Sequence, residues 1–312
     1  ARQRLPGIEV TSDYRLWLER PDLDGFIVAT PAVTHYPVVR DCLEAGKHVL
    51  CEKPLTRSAA EALELAILSE AADLTLMVGH TFLFNPAVQM LKEYLDRGIL
   101  GQPLYVYGQR LGLGPIRKDV SVLWDLAAHD VSILLHLFGD QPSPQEVVAR
   151  GDSYIQPMIE DVIFLTIRLR ERLLANVHVS WLDPAKVRRL TVVGTDKMVV
   201  FDDVDPFHRL MLYDKGFRYA TTEESFGEFS AILQDGNVLI PKVPVREPLK
   251  EQVSHFLRCL RGEERCQSDA RFAAAVVSVL EHAQQSLDGA AGPAPLAEPL
   301  PHALRLERLA AV

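Results

Sequence analysis

Two short stretches carry side chains able to hold charge and move protons. The first is Glu52-Lys53-Pro54, directly after the apolar run His48-Val49-Leu50-Cys51. That run follows Gly46 and ends at the proline, so it reads as a buried strand. Ligands of open α/β sheets bind outside the carboxyl ends of the strands. A lysine at that point stabilises a developing alkoxide and lowers the pKa of a nearby hydroxyl. Position alone equally suits a surface lysine paired with Glu52. The second stretch is Trp124-Asp125-Leu126-Ala127-Ala128-His129-Asp130. Asp125 and His129 are one helical turn apart and share a face. A carboxylate there orients the imidazole and raises its basicity, so that it accepts a proton near neutral pH. An isolated D-x-x-x-H also marks a capped or core histidine. His136 reads as structural.

The elements that must position these groups begin as alternating strands and helices. Strands are expected over Asp24–Thr30, His48–Cys51 and Leu74–Gly79. A short helix is expected over Tyr14–Glu19, capped by Ser12 or Asp13. Others run over His35–Ala45, stopped by Gly46, from Ser58 (with Glu61 at the capping-box position) to Ala72, and from Pro86 to about Gly98. This alternation implies a doubly wound parallel sheet. A strand at Leu104–Arg110 and a helix over Val120–Phe138 follow. Strands then succeed one another over Glu146–Arg150, Asp161–Arg168, Leu173–Trp181, Arg188–Val193 and Met198–Asp202, which implies a largely antiparallel sheet. Helices over Leu249–Arg261 and Asp269–Leu287 precede a Pro- and Ala-rich, irregular tail after Gly289. The expected class is α/β: an incomplete doubly wound (Rossmann) parallel sheet over residues 1–103, then an α+β domain with an open, largely antiparallel sheet over 104–312.

Bulk properties narrow the partners. The 312 residues are 48% hydrophobic and 24% charged, an ordinary globular composition. A net charge of -9 disfavours nucleic acid, whose phosphates need a basic face. No apolar run reaches the roughly 18 residues of a membrane span, and no signal-peptide core opens the chain. Cys42, Cys51, Cys259 and Cys266 show no C-x-x-C spacing. Reduced thiols in a cytoplasmic protein are therefore expected. No metal site is expected, because His and Cys are scattered. G-x-S-x-G is absent.

A dinucleotide fold opens with a strand, G-x-G-x-x-G and a helix. No such motif is present; Gly112-Leu113-Gly114 lacks the strand–helix context. Arg2–Val10, leading into Thr11-Ser12-Asp13-Tyr14, reads like the second half of a mononucleotide-binding unit. The opening strand, glycine loop and helix are accordingly expected to have been lost by truncation. The alternative is a degenerate domain in a non-catalytic sensor or regulatory protein.

The most specific signal is Ala29-Thr30-Pro31-Ala32-Val33-Thr34-His35 followed by Cys42-Leu43-Glu44-Ala45-Gly46-Lys47-His48-Val49-Leu50-Cys51-Glu52-Lys53-Pro54-Leu55. It resembles the Gfo/Idh/MocA oxidoreductases, from near the start of the chain to about Leu287. The resemblance implies NAD or NADP as cofactor, contacted by Thr30, Pro31, His35, Glu52, Lys53 and Pro54, and a Lys53-Pro54 bond that can be cis. It implies Lys53, His129 and Asp125 as catalytic residues, His129 as general acid/base. The usual glycines before D-x-x-x-H are absent; Ser121-Val122-Leu123-Trp124 stands there. Lys53, His80, Arg110, Asp125 and His129 are expected to meet the substrate. Asn85 is a further cleft candidate. Arg110, Arg117 and Lys118 suit an anionic group such as a nucleotide-sugar diphosphate, and the last two equally suit a solvated charge cluster. His178 faces either the cleft or the sheet. Val177-His178-Val179-Ser180-Trp181-Leu182-Asp183-Pro184 and Arg188–Gly194 are similar to nucleotide-sugar members. The implied reaction is hydride transfer at a secondary hydroxyl of a sugar or nucleotide sugar, with His129 taking the proton and Lys53 holding the oxygen. A homo-oligomer, dimer or tetramer, formed through the open sheet is also expected.

Overall fold

Three short parallel strands carry the first group of candidates: β1 (Gly25–Val28), β2 (His48–Cys51) and β3 (Leu76–Val78), in the order β1-β2-β3. The structure is a computed structural model that describes residues 7–139, 144, 146–170, 172–219 and 231–289. Val28, Cys51 and Val78 lie in register at the carboxyl edge. The ladder extends one residue further, with Glu52 N donating to Val28 O and Gly79 N to Cys51 O, both at 2.8 Å. The loops starting at Thr30, Lys53 and His80 therefore leave from one side of the sheet. Val49 and Cys51 in β2 and Met77 and Val78 in β3 are fully buried.

Helix α1 is a single turn (Arg15–Leu18), with Asp13 Oδ1 accepting from Arg15 N. Helix α2 (His35–Glu44) buries His35, Val39, Cys42 and Leu43, and α3 (Ala59–Ala71) buries Ala62, Leu65, Ala66 and Ser69. Both sets follow the three-and-four spacing of one helix face. Gly46, at φ +73°, supplies the left-handed residue that ends α2. Ser58 occupies the N-cap of α3 as expected, but its side chain makes no capping bond. The outer edge of β3 is covered by a later segment: Val78 N donates to Ser268 O, and Ser268 Oγ donates to Val78 O.

The second sheet has eight strands in the order β13-β10-β9-β8-β4-β7-β6-β5. These are β4 (Pro103–Leu111), β5 (Glu146–Asp152), β6 (Val162–Arg170), β7 (Leu173–Ser180), β8 (Val187–Gly194), β9 (Met198–Asp202), β10 (Leu210–Tyr213) and β13 (Val238–Leu239). All neighbours pair antiparallel except β4 with β7. A separate hairpin joins β11 (Gly216–Tyr219) to β12 (Ala231–Gln234). Strands β10 to β13 were not anticipated: they are two to four residues long, too short for alternation to register. Alternation is clear in β4 and β7, where Val106, Gly108, Arg110, Ala175, Val177 and Val179 are buried while Tyr105, Tyr107, Leu174 and Asn176 are exposed.

Helix α4 (Pro86–Asp96) precedes β4. The helix expected over Val120–Phe138 is divided: Leu123–Ala127 forms a π-helical turn and α5 proper is Ala128–Phe138. Helices α6 (Pro248–Leu260) and α7 (Ala270–Leu287) close the described chain. The compact units are Ala1–Thr81 with Glu247–Ser278, and Phe82–Arg246 with Val279–Val312. The first change of unit thus falls at 81/82, where the sequence suggested 103, and the later helices are divided between units. Most of Arg2–Val10 and the tail after Gly289 lie outside the described residues.

Candidate active site

At the carboxyl edge of the parallel sheet, His35 ties two loops together. Its Nδ1 lies 2.7 Å from Pro54 O and its Nε2 lies 2.8 Å from Thr30 O. The ring is 1% exposed, so these carbonyls are its polar environment. His35 is thus a bracket between the loops after β1 and β2, while Thr30 and Pro31 stay exposed. The Lys53-Pro54 bond is cis. Pro54 is buried; Glu52 and Lys53 are half-buried. The Glu52 carboxylate packs against Gly79, where a Cβ would stand 3.1 Å from Oε2, so a side chain at 79 would push Glu52 aside.

His80 follows at the end of β3. Burial pushes it down to about 3, and the charge of Lys53 adds to the shift. The imidazole is therefore neutral, and Lys53 is within its electrostatic reach. Its Nδ1 is buried with no hydrogen-bond partner, and its ring stands edge-on to Phe272 at 5.6 Å. An ammonium, an exposed threonine hydroxyl and an unsatisfied imidazole nitrogen at one sheet edge fit the hydrogen-bonding nicotinamide end of a dinucleotide.

The second group lies in the other unit. Asp125 sits in the π turn, with Oδ1 accepting from Arg117 Nη1 at 3.2 Å and Oδ2 from Trp181 Nε1 at 3.3 Å. His129, four residues on, is half-buried, and its ring meets Phe82 edge-on at 5.2 Å. The other side of this aromatic contact is cationic: the Arg110 guanidinium carbon lies 4.4 Å from the Phe82 centroid.

Arg110 requires a correction. It is not presented to an anion, because its guanidinium is buried and forked onto Asp130, Nε to Oδ2 at 2.6 Å and Nη2 to Oδ1 at 3.1 Å. Asp130 was not singled out from sequence, although it adjoins His129. Arg117 is likewise engaged by Asp119 and Asp125, and Lys118 is exposed. Asn85 caps α4, accepting from Ala87 N at 2.9 Å and donating to Asp203 Oδ1 at 3.1 Å. His178 stacks on Phe164 at 4.2 Å on the exposed side of β6 and β7.

Sequence reasoning also missed a cluster. His255, Cys259 and Cys266 bring their ligand atoms within 4.8 Å of one another. The expectation that His and Cys are scattered fails here, because His255 and Cys259 are one turn apart on α6; that spacing was the available signal.

Comparison with known proteins fits both units. Residues 2–80 match the family model "Oxidoreductase family, NAD-binding Rossmann fold", and residues 88–200 match the GFO/IDH/MocA C-terminal domain. A crystal structure from Magnetospirillum magnetotacticum MS-1, provisionally described as an oxidoreductase, is 31% identical. It covers 89% of this chain and 85% of its own, with a TM-score of 0.74. The chain belongs to the Gfo/Idh/MocA oxidoreductase family. Its Rossmann segment is of the family's NAD-binding type.

UDP-N-acetylglucosamine 3-dehydrogenase of Acidithiobacillus ferrooxidans is 29% identical over 196 residues, 62% of this chain and 60% of that protein. Its crystal structure shares the fold, with a TM-score of 0.74 at 22% identity over 90% of this chain and 83% of that one. Inositol 2-dehydrogenase of Mycolicibacterium smegmatis is 33% identical over 142 residues, 44% of this chain and 41% of that protein. The chain thus spans about half the length of the curated relatives it matches. Among the described residues, no helix is long and apolar enough to cross a membrane.

Proposed function

We propose that this chain belongs to a nicotinamide-dependent dehydrogenase interconverting a secondary hydroxyl and a ketone on a sugar or nucleotide sugar. The observation that carries the reading is Lys53 at the carboxyl edge of a parallel sheet whose sequence matches an NAD-binding family domain. The relatives named for inositol and UDP-N-acetylglucosamine support the substrate class.

NAD or NADP, when bound, accepts the hydride. Thr30, Pro31 and Glu52 serve to hold and orient it, and His35 and Pro54 fix the loops that carry them. The Lys53 ammonium holds the substrate oxygen and favours its alkoxide form. The His129 imidazole accepts the hydroxyl proton. Asp125 acts as a positioning residue, fixed by Arg117 and Trp181 at the start of the segment that carries His129.

The test is steady-state turnover of sugars and nucleotide sugars with NAD and NADP, on the protein as expressed from its gene. His129→Ala is expected to lower kcat by about 10²–10⁴-fold, the usual contribution of a general acid/base. Lys53→Ala is expected to abolish most turnover while cofactor fluorescence still reports binding. Unchanged turnover in both variants would remove the assignment and leave a non-catalytic protein on the same fold.

A further inference from the structure

We propose that His255, Cys259 and Cys266 form a binding site for a thiophilic divalent cation of zinc's class. Cys259 Sγ lies 3.4 Å from His255 Nε2, and all three ligand atoms fall within 4.8 Å. Zinc–sulfur bonds of about 2.3 Å and zinc–nitrogen bonds of about 2.0–2.1 Å set ligand–ligand edges of roughly 3.5–3.8 Å in a tetrahedron. The cluster is already near that size. Two thiolates and an imidazole are a zinc-type donor set, and with a divalent cation they form a neutral group that burial tolerates.

The strongest argument is the support behind the histidine. His255 Nδ1 lies 2.7 Å from Glu264 Oε2, and Glu264 Oε1 accepts from Arg258 Nε at 2.8 Å. The carboxylate fixes the proton on Nδ1 and turns the Nε2 lone pair towards the cysteines, as carboxylates do for metal-bound histidines. The side chains are also placed by separate elements: His255 and Cys259 by one face of α6, Cys266 by the loop that leads to Ser268 on the edge of β3. A disulfide between Cys259 and Cys266 is the competing fate of adjacent thiols, but it needs neither the imidazole nor its carboxylate.

In the structure the Gln267 amide donates to His255 Nε2 at 3.0 Å. Binding exchanges that amide for the cation: one metal–nitrogen and two metal–sulfur bonds form, two thiol protons leave to solvent, and water takes the fourth position. The cation then joins α6 to the loop that borders β3.

The test uses the whole chain, reduced with a phosphine, freed of metal by chelator and titrated with Co2+ alone. Expected are one equivalent per chain, a thiolate-to-cobalt charge-transfer band and tetrahedral d–d absorption, all displaced by Zn2+. Cys259→Ser with Cys266→Ser removes the band, and Glu264→Gln weakens binding by roughly 10–100-fold. Should the double variant fail to fold, alkylation of the wild-type chain decides. Zn2+ must slow modification of Cys259 and Cys266 and leave Cys42 and Cys51 unchanged. Weak octahedral cobalt absorption, a band that survives in the folded double variant, or alkylation indifferent to Zn2+ overturns the proposal.

Discussion

Arg110 and Asp130 show how a side chain suited to binding an anion can be fixed in the core instead. The pair is buried on both sides, with side-chain exposures of 5% and 3%. Removing one partner leaves an uncompensated charge, whereas replacing both by apolar groups is often tolerated. Asp130→Ala is expected to cost about 3–5 kcal/mol in denaturant unfolding, and Arg110→Met with Asp130→Leu to restore most of the loss. From sequence, Arg110 looked like an anion reader because a partner 20 positions away is invisible until β4 and α5 pack.

His80 carries a pH prediction. An ordinary histidine titrates near about 6.5, while burial first, and Lys53 second, push His80 down to about 3. The unfolded chain therefore takes up a proton that the folded chain refuses. The stability this group supplies is full above pH 6.5 and is lost as pH falls from there towards 3. His80→Gln should flatten that acid limb by up to about 1.4 kcal/mol per pH unit. Urea unfolding at stepped pH measures it; an unchanged slope would mean that protons reach the ring in the fold.

Among the elements, two helix starts with similar sequence signals differ physically. Asn85 accepts from Ala87 N at the head of α4 and also bonds Asp203, whereas Ser58 makes no side-chain capping bond at the head of α3. Asn85→Ala is expected to cost about 0.5–2 kcal/mol, and Ser58→Ala much less. Thermal melts of both variants check the contrast; equal losses would refute it. Helix α2 and strand β2 were legible because their apolar spacing and the breakers Gly46 and Pro54 point the same way. The π turn at Leu123–Ala127 was not, since its residues are ordinary helix formers and one extra residue per turn leaves no compositional trace. Its presence means that the sequence spacing of Asp125 and His129 is not that of a plain α-helix, at a place where π turns often accompany function.

At the scale of the whole molecule, one face of the eight-stranded sheet carries exposed apolar side chains among the described residues. Tyr105 and Tyr107 on β4, Phe164 on β6 and Leu174 on β7 are 39–50% exposed. The homo-oligomer expected from sequence would bury this face. Tyr107→Glu combined with Phe164→Glu should shift sedimentation towards the monomer. A wild-type chain that is already monomeric at high concentration would refute the expectation. The open sheet was legible in the direct succession of strands after residue 146, but strand order was not, because neighbours in space are far apart in sequence.

That order has a consequence for biosynthesis. Strand β4 pairs on one side with β7 and on the other with β8, and nothing nearer in sequence completes it. A chain emerging from the ribosome at 5–20 residues per second must add about 80 more residues after Leu111 before β8 is finished, roughly 4–16 seconds. Until β7 is complete at Ser180, most of that interval, the tyrosine-bearing strand has neither neighbour. The nascent protein is therefore open to wrong pairing until β7 and β8 have emerged from the ribosome.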